Sequence, residues 1–214
     1  ESPSVRITTE RVWNDPLPTI DVTYKNLTKV YFRVVAYDWE QRLKTRGARR
    51  PEYLDQNERR ALIGKKPVIE WSADLPATED YHEAQQKIPA KDGLEPGSYF
   101  LLSSHQKNFG ANENRVQFCD FWVSELALVI RNRNFPGVVE GIVLNNESGE
   151  PLAEAIVHAW RGERNAWVDA GEVTADKNGF FSIKGVNRKQ LILKARHKDQ
   201  ALATGNYYYT YIQN

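Results

Sequence analysis

Apolar and polar residues alternate with a period of two through most of this chain. Val5 and Ile7 stand against polar neighbours in Ser4 to Thr9. After the interruption at Asp15, Pro16 and Pro18, Thr19 to Tyr24 repeats the pattern. Asn26 marks a turn, and Val30 to Tyr37 is rich in β-branched and aromatic residues. Runs of this kind, bounded by Gly, Pro, Asn and Asp, predict antiparallel strands. Pro67 to Ala73 predicts another, with Ile69 and Trp71 on one face. In Leu94 to Ser103 a Pro-Gly turn feeds a strand, as at the corner of an immunoglobulin-like sandwich. Phe118 to Ile130 is long and apolar. It reads as two strand pieces bent near Ser124, with a buried helix as the other reading.

The second half has the same grammar. In Val138 to Leu144, Val139, Gly141 and Val143 share a face. Asn145 to Pro151 is a polar turn broken by Gly149 and Pro151. In Ala155 to Trp160, Ile156, His158 and Trp160 alternate with Ala155, Val157 and Ala159. Glu172 to Ala175 leads into Asp176-Lys177-Asn178-Gly179, where Asn178-Gly179 suits a hairpin turn because Gly accepts positive φ. Phe180 to Ile183 then predicts a further strand.

One stretch departs from period two. Gln41 to Lys66 holds nine Lys or Arg against three Asp or Glu. Within it, Pro51 to Ile63 predicts a short helix, started by Pro51 and stopped by Gly64, with Leu54, Ala61 and Leu62 as a narrow apolar stripe. The segment is expected to be a surface excursion. A polar linker, Arg131 to Gly137 (RNRNFPG), divides the chain into domains expected at 1–134 and 136–214, with the basic helical insertion at about 41–66 of the first.

Two resemblances follow from these residues. Gly149-Glu150-Pro151-Leu152, then Thr174 through Phe180, resemble the carboxypeptidase regulatory-like β-sandwich module over Gly137 to Ala195. Leu94-Glu95-Pro96-Gly97-Ser98-Tyr99, followed by Phe121 through Val129, resemble the N-terminal part of bacterial alpha-2-macroglobulin-like proteins, with Glu125 where Asp is commoner. The closing YYYTYIQN resembles a linker to a next macroglobulin-like domain. The resemblance implies an all-β fold: two immunoglobulin-like or macroglobulin-like antiparallel β-sandwiches, with a short helix in the insertion of the first. It implies a scaffold role in a protease-trapping endopeptidase inhibitor of the cell envelope, on its periplasmic or extracellular side. The implied partners are other domains of the same longer chain and, for the whole protein, proteases as targets. The start at Glu1 without Met or leader, and the end just after an apolar run, also read as a piece of a longer polypeptide.

Composition adds little. Basic and acidic residues nearly cancel, 29 against 28, so net charge favours no partner. The basic insertion has only Tyr53 as aromatic company, which argues against nucleic acid. No apolar run approaches the roughly 18 residues of a spanning helix, so no membrane insertion is expected. The single cysteine excludes an intrachain disulfide framework.

Chemistry-bearing residues are sparse. His82, His105, His158 and His197 show no metal-ligand spacing. His158 reads as a satisfied core histidine. Asp176-Lys177-Asn178-Gly179 lacks the third acidic ligand and the distant Glu of a calcium loop, and reads as a plain turn. Glu79-Asp80 sits in loop-like sequence and reads as solvated. Gly-x-Ser-x-Gly, a phosphate-cradling glycine loop and His-Glu-x-x-His are all missing. No catalytic, cofactor-binding or metal-ligating residue is therefore assigned, and no cofactor. Of six tryptophans, Trp71, Trp122 and Trp160 read as core. Trp13, Trp39 and Trp167 are open to two readings, packing or exposed platforms. The thioester of alpha-2-macroglobulin-like proteins joins a Cys to a Gln three residues on. Here Trp122 stands three residues after Cys119, so Cys119 reads as a small buried hydrophobe with a raised thiol pKa. A carbohydrate-binding or adhesion β-sandwich pair, and accessory domains of an envelope hydrolase, are the alternative functions.

Overall fold

The structure, a computed structural model, describes residues 3–47, 50–78, 82–110, 114–131, 137–164, 166–184, 190–205 and 208–209, without the side chains of Arg46 and Tyr209. Glu79-Asp80, most of the RNRNFPG linker and most of the closing YYYTYIQN lie outside the described residues. The chain divides into two compact units. Glu1–Asp38 and Arg49–Val123 make one; Trp39–Ala48 and Ser124–Asn214 make the other.

In the first unit, β1 (Ser4–Thr8), β3 (Thr19–Lys25) and β6 (Ala84–Pro89) form a three-stranded sheet in the order β1-β3-β6. β2 (Val12–Trp13), β4 (Lys29–Ala36), β5 (Ile69–Asp74), β7 (Gly97–Ser104) and β8 (Gln117–Val123) form a five-stranded sheet in the order β2-β8-β7-β4-β5. Alternation does the work expected of it. Val5, Ile7, Ile20, Val22 and Tyr24 from one sheet meet Val30, Phe32, Val34, Leu101 and Phe121 from the other in a shared core. Trp13 is fully buried there and stacks on Phe121 at 3.8 Å. Tyr99 donates its hydroxyl to the Glu95 carbonyl at 2.7 Å, which pins the chain where it enters β7, as at a tyrosine corner.

β7 is buried on both faces. Its outer face carries Phe100 and Leu102, which pack with Val35, Phe109, Val116, Leu54 and Leu62. Leu54 and Leu62 come from the basic stretch. The single helix expected over Pro51 to Ile63 is in fact a 3-10 turn, Pro51–Tyr53, followed by helix α2, Gln56–Gly64. A capping box restarts the chain. Glu58 N–H donates to Asp55 Oδ1 at 2.9 Å, and Asp55 N–H donates to Glu58 Oε2 at 3.1 Å. Ala61 is exposed and leaves the stripe to Leu54 and Leu62. The basic stretch is thus anchored through apolar side chains, more than a loose surface excursion.

In the second unit, β9 (Leu126–Arg131), β10 (Val138–Asn145) and β13 (Phe180–Lys184) form a sheet in the order β13-β10-β9. β11 (Ile156–Glu163), β12 (Ala166–Thr174), β14 (Gln190–His197) and β15 (Gln200–Ala203) follow the order β12-β11-β14-β15, and β16 (Tyr208–Tyr209) also pairs with β14. The apolar run Phe118 to Ile130 does split near Ser124. Its first half, β8, pairs with β7, and its second half, β9, pairs with β10 from Glu140↔Arg131 to Asn145↔Leu126. Val139, Gly141 and Val143 are buried together.

Two elements differ from expectation. Asn178-Gly179 does not close a hairpin between paired strands, because β12 pairs with β11 while β13 pairs with β10. The turn is local, with Asp176 Oδ1 accepting from Asn178 N–H and Phe180 N–H, and it passes the chain from one sheet to the other. Helix α1, Trp39–Arg46, was not anticipated. Its apolar residues Trp39 and Leu43 are only one i, i+4 pair, too short a stripe to register as helical periodicity.

Candidate functional site

A cluster of polar side chains lies on β11, β12 and β14 of the second unit. A bulge builds it. The register of β11 with β12 shifts between His158 and Trp160, which pair with Glu172 and Asp169 respectively. The extra residue on β12 is taken up at Ala170-Gly171, where Gly171 has φ +90°, a conformation glycine accepts without a Cβ clash. Gly171 N–H donates to Asp169 Oδ1 at 2.6 Å, which leaves Asp169 Oδ2 facing the imidazole. His158 Nε2 lies 3.0 Å from Asp169 Oδ2, and Nδ1 lies 3.9 Å from Glu172 Oε2. Arg196 Nη2 meets Glu172 Oε2 at 3.4 Å. The Gly171 N–H holds the Asp169 carboxyl below the usual carboxylate range; burial opposes it, and His158 and then Lys44 add to the lowering.

His158 is therefore not a core histidine. Its side chain is 21% exposed, its ring stacks on Trp160 at 4.1 Å, and carboxylates face both ring nitrogens. Val157 and Ala159, its neighbours along β11, take the core positions instead. Nε2 bridges β11 and β12 to Asp169, while Nδ1 stands beyond hydrogen-bond distance of Glu172 at 3.9 Å. Among the described residues, no group of three or more His, Cys, Asp or Glu is arranged to hold a metal ion. The sequence signal for this cluster was weak, because Asp169 and Glu172 reach His158 only through the bulge.

The same sheet face explains the remaining tryptophans. Leu43 of α1 is buried with Trp160 and Ile192, and Trp39 and Trp167 pack partly buried against them. Trp39 meets Trp160 edge-on at 5.4 Å. Lys194 Nζ donates to Glu40 Oε1 at 2.9 Å and fixes the helix to β14. Trp39 and Trp167 are thus half-covered packing residues around α1, and Trp13 is core. The three do not form an aligned platform.

Cys119 is half-buried beside the first unit's core, with Sγ 3.5 Å from the Ile7 carbonyl. Burial first, then the Asp120 and Glu52 charges, pushes its thiol up to about 12. The thiol is held protonated and inert. His82 is exposed, and His105 and His197 are half-buried. Among the described residues, no helix is long and apolar enough to cross a membrane.

No family model matches the chain, and no curated protein matches it either. Solved structures do. Native alpha-2-macroglobulin from Escherichia coli, in a crystal structure spanning domains NIE-MG1, superposes with a TM-score of 0.67 at 13% identity, covering 95% of this chain and 96% of that one. A crystal structure of the same protein spanning domains MG0-NIE-MG1 gives a TM-score of 0.68 at 15% identity, covering 95% of this chain and 64% of that one. At this identity the likeness is one of fold: both units have the fold of those domains.

Proposed function

We propose that this chain is a scaffold portion of a bacterial alpha-2-macroglobulin-like endopeptidase inhibitor. In this reading it lies in the cell envelope, on the periplasmic or extracellular side, within a longer polypeptide. The first unit, Glu1–Asp38 with Arg49–Val123, is macroglobulin-like, and the second, Trp39–Ala48 with Ser124–Asn214, is regulatory-like. The observation that carries the reading is the fold match over 95% of the chain to alpha-2-macroglobulin domains of nearly the same extent. The order of the Leu94 to Tyr99 and Phe121 to Val129 motifs supports it independently.

The portion itself performs no catalysis and no covalent capture in this reading. Cys119 has Trp122 where a thioester needs Gln, and its thiol is buried and protonated. His158 bonds Asp169 through Nε2 at 3.0 Å, and its Nδ1 stands 3.9 Å from Glu172. The portion's work is to hold other domains of the longer chain, with proteases as the targets of the whole.

The test uses the whole polypeptide that carries this chain, mixed with a broad-specificity protease. A trap leaves the protease active on a small chromogenic peptide while shielding a folded protein substrate. A protease that stays fully active on both substrates overturns the reading.

A further inference from the structure

The open edge of the first unit's larger sheet supports an inference independent of the inhibitor reading. β5 is the last strand in the order β2-β8-β7-β4-β5. Leu75 N–H donates to the Thr28 carbonyl at 2.9 Å, and the register continues as Ala73↔Val30, Trp71↔Phe32 and Ile69↔Val34. Antiparallel ladders alternate bonded and non-bonded pairs, so Ile69, Trp71 and Ala73 direct their backbone groups to β4. β4 agrees: Tyr37 N–H donates to the Ser98 carbonyl at 3.1 Å, which assigns Tyr31, Arg33 and Val35 to β7 and leaves Val30, Phe32 and Val34 for β5. Glu70, Ser72 and Asp74 therefore turn N–H and C=O to the open side, where no described strand pairs with them.

The side chains there are equally ordered. Ile69, Trp71 and Ala73 lean on the core and are only partly buried. Glu70 and Asp74 point outward, 3.6 Å from Arg33 and 3.1 Å from Lys29, and β5 carries no cation of its own. Pairing of two copies about Ser72 sets each Glu70 across from an Asp74, and directly opposed like charges are unfavourable. A second copy is thus disfavoured, while a strand with cations at those positions is favoured.

We propose that β5 is a strand-addition site for an extended segment of another protein in which apolar residues alternate with basic ones. The backbone groups of Glu70, Ser72 and Asp74 complete the ladder. The apolar residues of the added strand cover Ile69 and Trp71, and its basic residues lie against Glu70 and Asp74.

The probe is a capped peptide of about eight residues alternating lysine and valine, titrated into isotope-labelled full chain. A peptide of the same composition with its lysines in one block is the control. Binding should shift the amide signals of Glu70, Ser72 and Asp74 and slow their hydrogen exchange, with the block peptide at least about tenfold weaker. Ser72→Pro removes the central open N–H without touching the β4 ladder, a position where an edge strand tolerates proline. It should abolish binding while circular dichroism stays unchanged. Asp74→Lys should weaken binding about tenfold, and decides the matter if the proline variant misfolds. Shifts mapping elsewhere, binding that survives the substitutions, or a peptide-independent dimer through this edge overturns the proposal.

Discussion

At Gly141, a β-carbon would lie 2.5 Å from the Val129 carbonyl oxygen and 2.6 Å from the Phe181 ring. The oxygen is backbone of the paired strand, and the ring is buried at 2% exposure, so neither can yield cheaply. Gly141→Ala is expected to cost about 2–4 kcal/mol of stability, read as a lower urea midpoint with unchanged slope. Cys119 makes a second residue-level prediction. Its thiol is raised from 9.0 to about 12 mainly by burial. Between those values the unfolded chain loses a proton that the folded chain keeps, so the folded state binds more protons and stability falls as pH rises. The contribution is intact below pH 9.0 and fades through about 12. Cys119→Ala should flatten that part of the stability profile relative to the parent. Alkylation at pH 8 should be slow in native protein and fast in denaturant. Rapid native labelling contradicts the buried, protonated thiol.

At the level of elements, the two helices of the basic stretch hold on differently. α2 depends on its cap. Asp55 and Glu58 satisfy each other's backbone N–H groups, and Asp55→Ala is expected to cost about 1 kcal/mol, measured by thermal melting. α1 depends on packing. Leu43 is 3% exposed between Trp160 and Ile192, and Leu43→Ala is expected to cost about 2–4 kcal/mol through the cavity it leaves. The readout is tryptophan fluorescence, since Trp39, Trp160 and Trp167 surround the site. An unchanged emission maximum and midpoint would mean that α1 is not docked on the sheet.

For the molecule as a whole, the pairing of β9 with β10 decides which pieces can stand alone. A piece comprising 136–214 lacks β9, which pairs with β10 from Leu126 to Arg131, and lacks α1, which covers Trp160 and Ile192. It loses an edge of one sheet and the cover of the other. A piece beginning at Ser124 keeps the three-stranded sheet. Urea unfolding of 124–214 is expected to be more cooperative than that of 136–214, with the parent chain more cooperative than either. Equal transitions for both pieces would show that β9 contributes nothing to the second unit.

Period-two alternation is a local signal, and many strands were legible through it, while β6, most of β12 and β14 were not. The legible part covers the strands Ser4–Thr8, Thr19–Lys25, Lys29–Ala36 and Val138–Asn145, the break near Ser124 and the all-β sandwich class. Turns demanding positive φ were legible for the same reason: Asn26 at +52°, Gly149 at +71° and Gly179 at +67° sit where residue type alone lowers the cost. Partner choice is not local. That β12 and β13 flank one turn yet belong to different sheets, that Trp13 is core, and that the bulge at Gly171 brings Asp169 to His158 are facts of tertiary pairing. α1 was hidden because one i, i+4 pair in a charged segment has no helical period. Only the sheet face offered by Trp160 and Ile192 makes burying Trp39 and Leu43 favourable.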